Sequence, residues 1–162
     1  MRENSQTLKM KYEFVKSNGS WEQSYPDLGK YKNGSDCVIR AVQHVTEQPY
    51  KKVLSDLCAR GVEIGRMPNA HETYRPYLAS LGFKEVKLPK GTRMCSDLIP
   101  RDRWVLCYVA GHLTAVFGHK LYDTWDCSWT YAYKNGKPIN KIVTRIYYKG
   151  YWSPPPTITF TK

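Results

Sequence analysis

The stretch Gly111-His112-Leu113-Thr114-Ala115-Val116-Phe117-Gly118-His119-Lys120-Leu121-Tyr122-Asp123-Thr124-Trp125-Asp126 decides how the second half of this chain folds. Two runs rich in β-branched and aromatic residues flank Gly118-His119, a pairing that suits a tight hairpin turn. A turn centred on Phe117-Gly118 pairs position 112 with 123; a turn at Gly118-His119 pairs 112 with 125 and 114 with 123. Side chains on a strand alternate with period two, so either register sets His112 and Asp123 on one face. Asp126 has the opposite parity and reaches that face only through a bulge or a strand end.

Working outward, strands are predicted at Phe83 to Leu88, Trp104 to Val109, His112 to Phe117, Lys120 to Trp125 and Ile139 to Tyr148. The first half has a helical period instead. Val38, Ile39, Ala41, Val42 and Val45 follow Ser35 or Asp36 as N-cap. Pro49 opens a second helix carrying Val53, Leu54, Leu57 and Cys58 on one face, with Gly61 as its stop. A third helix covers Tyr74 to Leu81, capped by Thr73, with Pro76 in its first turn and Gly82 at its end. Helices first and strands after predict an α+β fold, with N-terminal helices packed on an antiparallel sheet. Residues 1–32 are polar and turn-prone around Asn18-Gly19 and Pro26, and read as an N-terminal arm or irregular lead-in. Residues 33–150 form the folded domain, and 151–162, with Pro154-Pro155-Pro156, read as a mobile tail.

A chain of 162 residues, 41% apolar, suits a single domain with a sizeable core. Lys and Arg number 25 against 14 Asp and Glu, for a formal net charge of +11. Lys134, Lys137, Lys141, Arg145, Lys149 and Lys162 all follow Cys127, with no acid among them. They are interleaved with Trp129, Tyr131, Tyr133, Tyr147, Tyr148, Tyr151 and Trp152. Bases stack on aromatic rings and phosphates pair with cations, so segment 129–152 is a candidate surface for nucleic acid or an acidic protein. No run approaches the ~18 apolar residues of a membrane span, and Met1 to Lys16 lacks the apolar core of a signal peptide. Cys37, Cys58, Cys95, Cys107 and Cys127 are odd in number and show no Cys-x-x-Cys spacing, against a disulfide framework or structural zinc. The expectation is a soluble cytoplasmic protein with reduced thiols and no metal.

Cys37 falls at the start of the first long helix. Unpaired backbone N–H groups and the helix dipole favour a thiolate there, which is what makes a cysteine nucleophilic. His112 opens a strand after Gly111, placed to project from a sheet edge toward that helix start. Asp123, on the same face as His112, is the candidate to hold the imidazole in its working tautomer.

These residues carry a resemblance. Asp36-Cys37-Val38-Ile39-Arg40-Ala41 beginning a helix, then Gly111-His112-Leu113-Thr114-Ala115-Val116, then Tyr122-Asp123-Thr124-Trp125-Asp126, resembles the papain-like cysteine peptidase superfamily. The closest flavour is the small peptidase-like proteins of bacteriophages and bacteria, and the likeness spans residues 33–126. It implies a papain-like catalytic domain over 33–150, and host cytoplasm as the place of action if the chain is phage-encoded. Ovarian-tumour-type deubiquitinases share the Cys-x-x-Arg-Ala helix start of Cys37, Arg40 and Ala41, but their preceding Asp-Gly is absent. Peptidoglycan endopeptidases share the Asp-Cys start and Gly-His strand, but usually carry Ser-Gly where this chain has Val38-Ile39.

The resemblance implies a thiol hydrolase that cleaves an amide, peptide or isopeptide bond through Cys37, His112 and Asp123, with no cofactor and a peptide or protein substrate. Acyl transfer to an amine is a close variant. Papain's oxyanion-hole Gln corresponds to Tyr31 here. The Cys37 N–H can supply one donor, and Asn33, Gln23 or Tyr31 are candidates for the second. Asp36 is assigned to helix capping, since an ionised carboxylate would repel an oxyanion. Trp125 and Trp129 are candidate walls of a substrate groove. His44 is expected at the helix surface or in packing, His71 solvated, His119 exposed in the turn, and Cys127 a strand-end thiol near the site. The alternatives are a basic nucleic-acid-binding module on a peptidase-like scaffold, or a peptidoglycan endopeptidase drawn to the anionic cell wall.

Overall fold

The computed structural model describes residues 12–32, 34–92, 99–109, 111–144 and 147–155, with backbone alone described over 129–133, 138–144 and 147–150. Four α-helices are present among these, α1 (Trp21–Ser24), α2 (Cys37–Thr46), α3 (Tyr50–Ile64) and α4 (His71–Ser80), with a 3-10 turn at Pro26–Leu28. The strands are β1 (Glu13–Lys16), β2 (Lys84–Lys87), β3 (Trp104–Val109), β4 (His112–Phe117), β5 (Lys120–Asp123), β6 (Trp129–Lys134), β7 (Lys137–Thr144) and β8 (Tyr147–Ser153). The α+β class follows.

α2 buries the expected stripe of Val38, Ile39, Ala41, Val42 and Val45, and with it Arg40. α3 does not stop at Gly61. It continues to Ile64 and ends on Gly65, whose φ of 67° is the left-handed C-terminal conformation that glycine adopts without strain. Gly61 has a packing role instead: the chain folds back so that the Arg66 carbonyl lies against it, and the Arg66 N–H bonds the Gly61 carbonyl at 2.9 Å. α4 starts at His71, so Pro76 sits inside the helix rather than in its first turn. Glu72, whose carbonyl loses its partner to Pro76, is exposed and can be solvated. Thr73 is not the cap; its hydroxyl donates to the Met67 carbonyl at 2.7 Å.

The main sheet has six strands in the order β1-β5-β4-β3-β8-β2. It is mixed rather than antiparallel, because β1 runs parallel to β5, Glu13 opposite Lys120 through Lys16 opposite Asp123. The expected irregular lead-in therefore contains an edge strand and the short helix α1. A four-residue strand with a partner a hundred positions away has too little alternation to announce itself. The expected strand Ile139 to Tyr148 is divided between two sheets: β7 pairs with β6 in a separate two-stranded ribbon, and β8 inserts between β3 and β2. Asn135 and Gly136, with φ of 52° and 73°, close the ribbon. β8 also takes Tyr151, Trp152 and Ser153 out of the expected mobile tail, burying Tyr151 and Trp152; residues 156–162 lie outside the described residues.

The pleat separates two cores. Leu106, Leu113, Ala115 and Trp152 pack under α2, α3 and α4 with Val42, Val53, Leu57 and Leu78. Val105, Cys107, Val109, Val116, Leu121 and Tyr151 form the other core with Tyr12, Ile99 and Cys127. Each fully buried leucine stabilises the fold by about 1.5–3 kcal/mol. Among the described residues no helix is long and apolar enough to cross a membrane.

Gly61→Ala tests the close approach of the Arg66 carbonyl. Helix propensity alone favours alanine by about 1 kcal/mol. The expected result in urea unfolding is nevertheless a net loss of about 1–2 kcal/mol, since the added methyl must displace backbone.

Candidate active site

The hairpin settles its own register. Phe117 faces Lys120, Val116 faces Leu121 and Ala115 faces Tyr122, so the turn lies at Gly118-His119 and Thr114 comes opposite Asp123. His112 and Asp123 share a face, at the ends of β4 and β5 where the first turn of α2 arrives.

Asp123 is the hub. It is 2% exposed and accepts four hydrogen bonds. His112 Nε2 donates to Oδ2 at 2.6 Å, Arg40 Nη1 to Oδ1 at 2.6 Å, and the Thr124 N–H to Oδ1 at 2.7 Å. The Cys127 thiol adds a weak bond to Oδ2 at 3.8 Å. Burial pushes the carboxyl up, but His112 and Arg40 outweigh it and hold Asp123 down at about 2.

Arg40 carries the second arm. Its Nε donates to Asp36 Oδ1 at 2.9 Å, and Asp36 also accepts from the Tyr31 hydroxyl at 2.7 Å and the Tyr50 hydroxyl at 2.9 Å. Asp36 thus stands at the N-cap position without capping: its carboxylate turns inward to three side chains instead of to its own helix N–H groups. Two buried carboxylates surround one guanidinium. A further positive charge is needed, and protonated His112 supplies it.

Burial disfavours an imidazolium, yet bonds with Asp123, Cys127 and Cys37 carry His112 up to about 11. Cys37, the first residue of α2, is half-buried beside His112. Burial raises its thiol, but interaction with His112, the Leu113 N–H and the charge of Arg40 brings it below its ordinary value. The free N–H groups at the helix start act in the same direction. Cys127, fully buried, goes the other way: desolvation dominates and its pKa is raised. The two thiols are thus shifted in opposite directions, Cys37 toward the thiolate and Cys127 away from it. With Nε2 engaged by Asp123, Nδ1 is the nitrogen left to exchange a proton with Cys37.

The supporting candidates fare differently. Asn33 lies outside the described residues. Tyr31 spends its hydroxyl on Asp36, which together with burial raises its pKa, so it is not an oxyanion donor. Gln23 lies in a groove with Gln43 and Glu47, over the far half of α2 from Cys37. Asp126 does not reach His112; it accepts from the Ser128 N–H at 3.0 Å, bound into its own turn. Trp125 is 40% exposed and its ring centroid lies 5.0 Å from that of His112, which shields one side of the imidazole. Trp129 opens β6, and its side chain lies outside the described residues.

His112, Asp123 and Cys127 offer donor atoms within 4.8 Å of one another. The chemistry of that set is poor for a cation, since Asp123 already holds a guanidinium and an imidazole N–H. His71 is not solvated. Its Nε2 meets the Tyr108 hydroxyl at 2.8 Å and its Nδ1 the Tyr74 hydroxyl at 3.2 Å. His44 packs on Trp104 and Tyr122 and shares a 2.9 Å bond with Ser17; burial lowers its pKa. His119 is exposed in the turn.

Sequence reasoning quoted Arg40 only as part of the helix start and gave it no role. Its spacing of four from Asp36 on a helix with apolar neighbours is the signal that could have found it. Comparison with family models, curated proteins and solved structures finds no match to this chain.

Arg40→Met leaves two buried carboxylates without their shared cation and is expected to lower unfolding stability by about 3–5 kcal/mol. Asp36→Asn on the Arg40→Met background is expected to recover part of that loss, measured as a double-mutant cycle in urea.

The ion pairs also set a pH profile. Asp123 has a folded pKa of about 2 against an ordinary 3.8, so its contribution is complete above 3.8 and lost as pH falls toward 2. His112 is raised from 6.5 to about 11, so its contribution is complete below 6.5 and lost as pH rises toward 11. The melting temperature of the protein is expected to be highest between those limits and to fall on both sides. His112→Ala should flatten the alkaline limb.

Proposed function

We propose that the chain is a thiol hydrolase that cleaves an amide, peptide or isopeptide bond, with Cys37 as nucleophile, His112 as general acid and base, and Asp123 as the residue that orients and charges the imidazole. The observation that carries this reading is the 2.6 Å contact of His112 Nε2 with the buried Asp123 carboxylate, beside a cysteine at a helix N-terminus whose pKa is lowered. A structural cysteine needs none of this.

The Cys37 thiolate attacks the carbonyl carbon. The resulting oxyanion accepts the backbone N–H of Cys37, one of the unpaired donors of the first turn of α2. Collapse of the tetrahedral intermediate breaks the C–N bond, and the leaving amine takes the proton from His112. His112, now neutral, accepts a proton from water as that water attacks the thioester, and release of the acid restores the thiolate and imidazolium. Trp125 beside His112 limits access of bulk water to the imidazole. An amine in place of water gives acyl transfer by the same steps. The papain-like resemblance of residues 33–126 rests on these same residues and agrees with the reading.

The resident charge state yields the test. Iodoacetamide should alkylate Cys37 faster than any other cysteine, with a rate midpoint below the ordinary thiol value of 9.0. His112→Ala should move that midpoint upward, since burial is then opposed only by the Leu113 N–H, the charge of Arg40 and the helix start. Peptide mapping by mass spectrometry reads both. Uniform labelling of all cysteines, or a midpoint indifferent to His112, would sink the assignment.

A further inference from the structure

A cleft of about 590 Å³ lies beside the end of β1, lined by Lys16, Ser17, Asn18, Glu22, Lys30, Tyr31 and Thr124, the last of these the chain neighbour of Asp123. Four of its lining residues are tied to the site. Lys16 ends β1 opposite Asp123 in the parallel pair, and the Ser17 N–H bonds the Asp123 carbonyl at 2.7 Å. Thr124 follows Asp123 and donates its N–H to that carboxylate. Tyr31 donates to Asp36, the residue before Cys37.

We propose that this cleft is a specificity subsite of the hydrolase and takes a substrate carboxylate, from an Asp or Glu side chain near the scissile bond or from a free C-terminus. The inference rests on the triad reading above and adds the substrate class. Lys16 and Lys30 are exposed and have no carboxylate partner among the described residues, so two ammonium groups face the cleft uncompensated. The Thr124 hydroxyl oxygen is buried with no hydrogen-bond partner among the described residues, so turning that side chain toward a carboxylate in the cleft gives up no hydrogen bond. Tyr31 contributes its ring rather than its hydroxyl, which is held by Asp36. Glu22, the one acid of the wall among the described residues, is bonded by Asn18 at 3.3 Å and opposes entry of a polyanion. A lone carboxylate, held by two lysines and a hydroxyl, matches this balance better than a phosphate backbone. The strands β6 and β7 lie in another sheet, and among the described residues none of theirs lines the cleft.

Exposed lysine–carboxylate pairs are individually weak and salt-screened, so the two together should discriminate by about five- to tenfold at low ionic strength. The test uses a fluorescent hexapeptide library in which each position carries Glu or Gln, with free or amidated C-termini. In wild-type turnover, the Glu member at one position, or the free-acid member, should be cleaved about five- to tenfold faster than its neutral counterpart. Which of the two shows the gain identifies the source of the carboxylate. In Lys16→Gln/Lys30→Gln the ratio should fall to about one, and in Lys16→Glu/Lys30→Glu it should invert. Cleavage without any carboxylate preference, or a preference unchanged in both double variants, overturns the subsite. Binding to Cys37→Ala, read by fluorescence polarisation with the same peptides, separates the two readings. If the peptidase reading alone is wrong, no peptide is cut, yet Glu or free-acid peptides still bind more tightly and lose that margin in the lysine variants. Equal binding of acid and neutral peptides overturns the subsite whatever the turnover.

Discussion

Arg40 sits between two buried carboxylates, Asp36 and Asp123, and most of what is distinctive here depends on that bridge. An isolated buried charge is untenable, so the guanidinium, the carboxylates and their hydroxyl donors have to be organised together. The bridge ties the first turn of α2 to the end of β5. Tyr31 and Tyr50 extend it to the preceding loop and to the start of α3. The helix that carries Cys37 is thereby indexed against the hairpin that carries His112. Packing of Val38, Val42 and Val45 on the sheet supplies affinity between these layers but little rotational precision. The directional bonds of one planar guanidinium supply the precision.

The same charges decide protonation. One guanidinium cannot neutralise two carboxylates, and the nearest titratable group that can is His112. Its imidazolium in turn stabilises a thiolate at Cys37, in a position where the helix dipole already favours one. Cys127, 3.8 Å from Asp123, has its pKa raised instead, because it is more deeply buried and faces a carboxylate. The two cysteines illustrate how environment rather than residue type assigns reactivity. In the proposed reaction the thiolate–imidazolium pair is the resting state, and Asp123 keeps the imidazole from relaxing to the neutral form.

The legible parts of this fold are those governed by short-range rules. The apolar stripe of α2 is set by 3.6-residue periodicity, and the shared face of His112 and Asp123 by the two-residue pleat. Other elements escaped for stated reasons. The strand Glu13–Lys16 is short and half-exposed, and acquires its identity only from pairing with β5. Ile139 to Tyr148 is continuous in β-character, so no local punctuation announces that the chain leaves one sheet for another. Two glycines four residues apart, Gly61 and Gly65, compete as helix stops, and the choice falls on Gly65 because Gly61 is needed where the Arg66 carbonyl closes in. Asp36 looks like a cap in any sequence reading; the pull of Arg40 and two tyrosine hydroxyls turns it away from that role.

By itself, the sequence determined the helix start at Cys37, the hairpin around Gly118-His119, and the parity that gathers a histidine and a carboxylate on one face. These follow from covalent geometry and hold over a few residues. Tertiary structure alone decided which register the hairpin adopts, that Arg40 rather than water meets Asp123, that Asp126 is left out, and which thiol has its pKa lowered and which raised. Those outcomes depend on charges brought together through space, in the case of Arg40 and Asp123 from positions 83 residues apart. Desolvation and ion pairing exist only once the chain has closed around them.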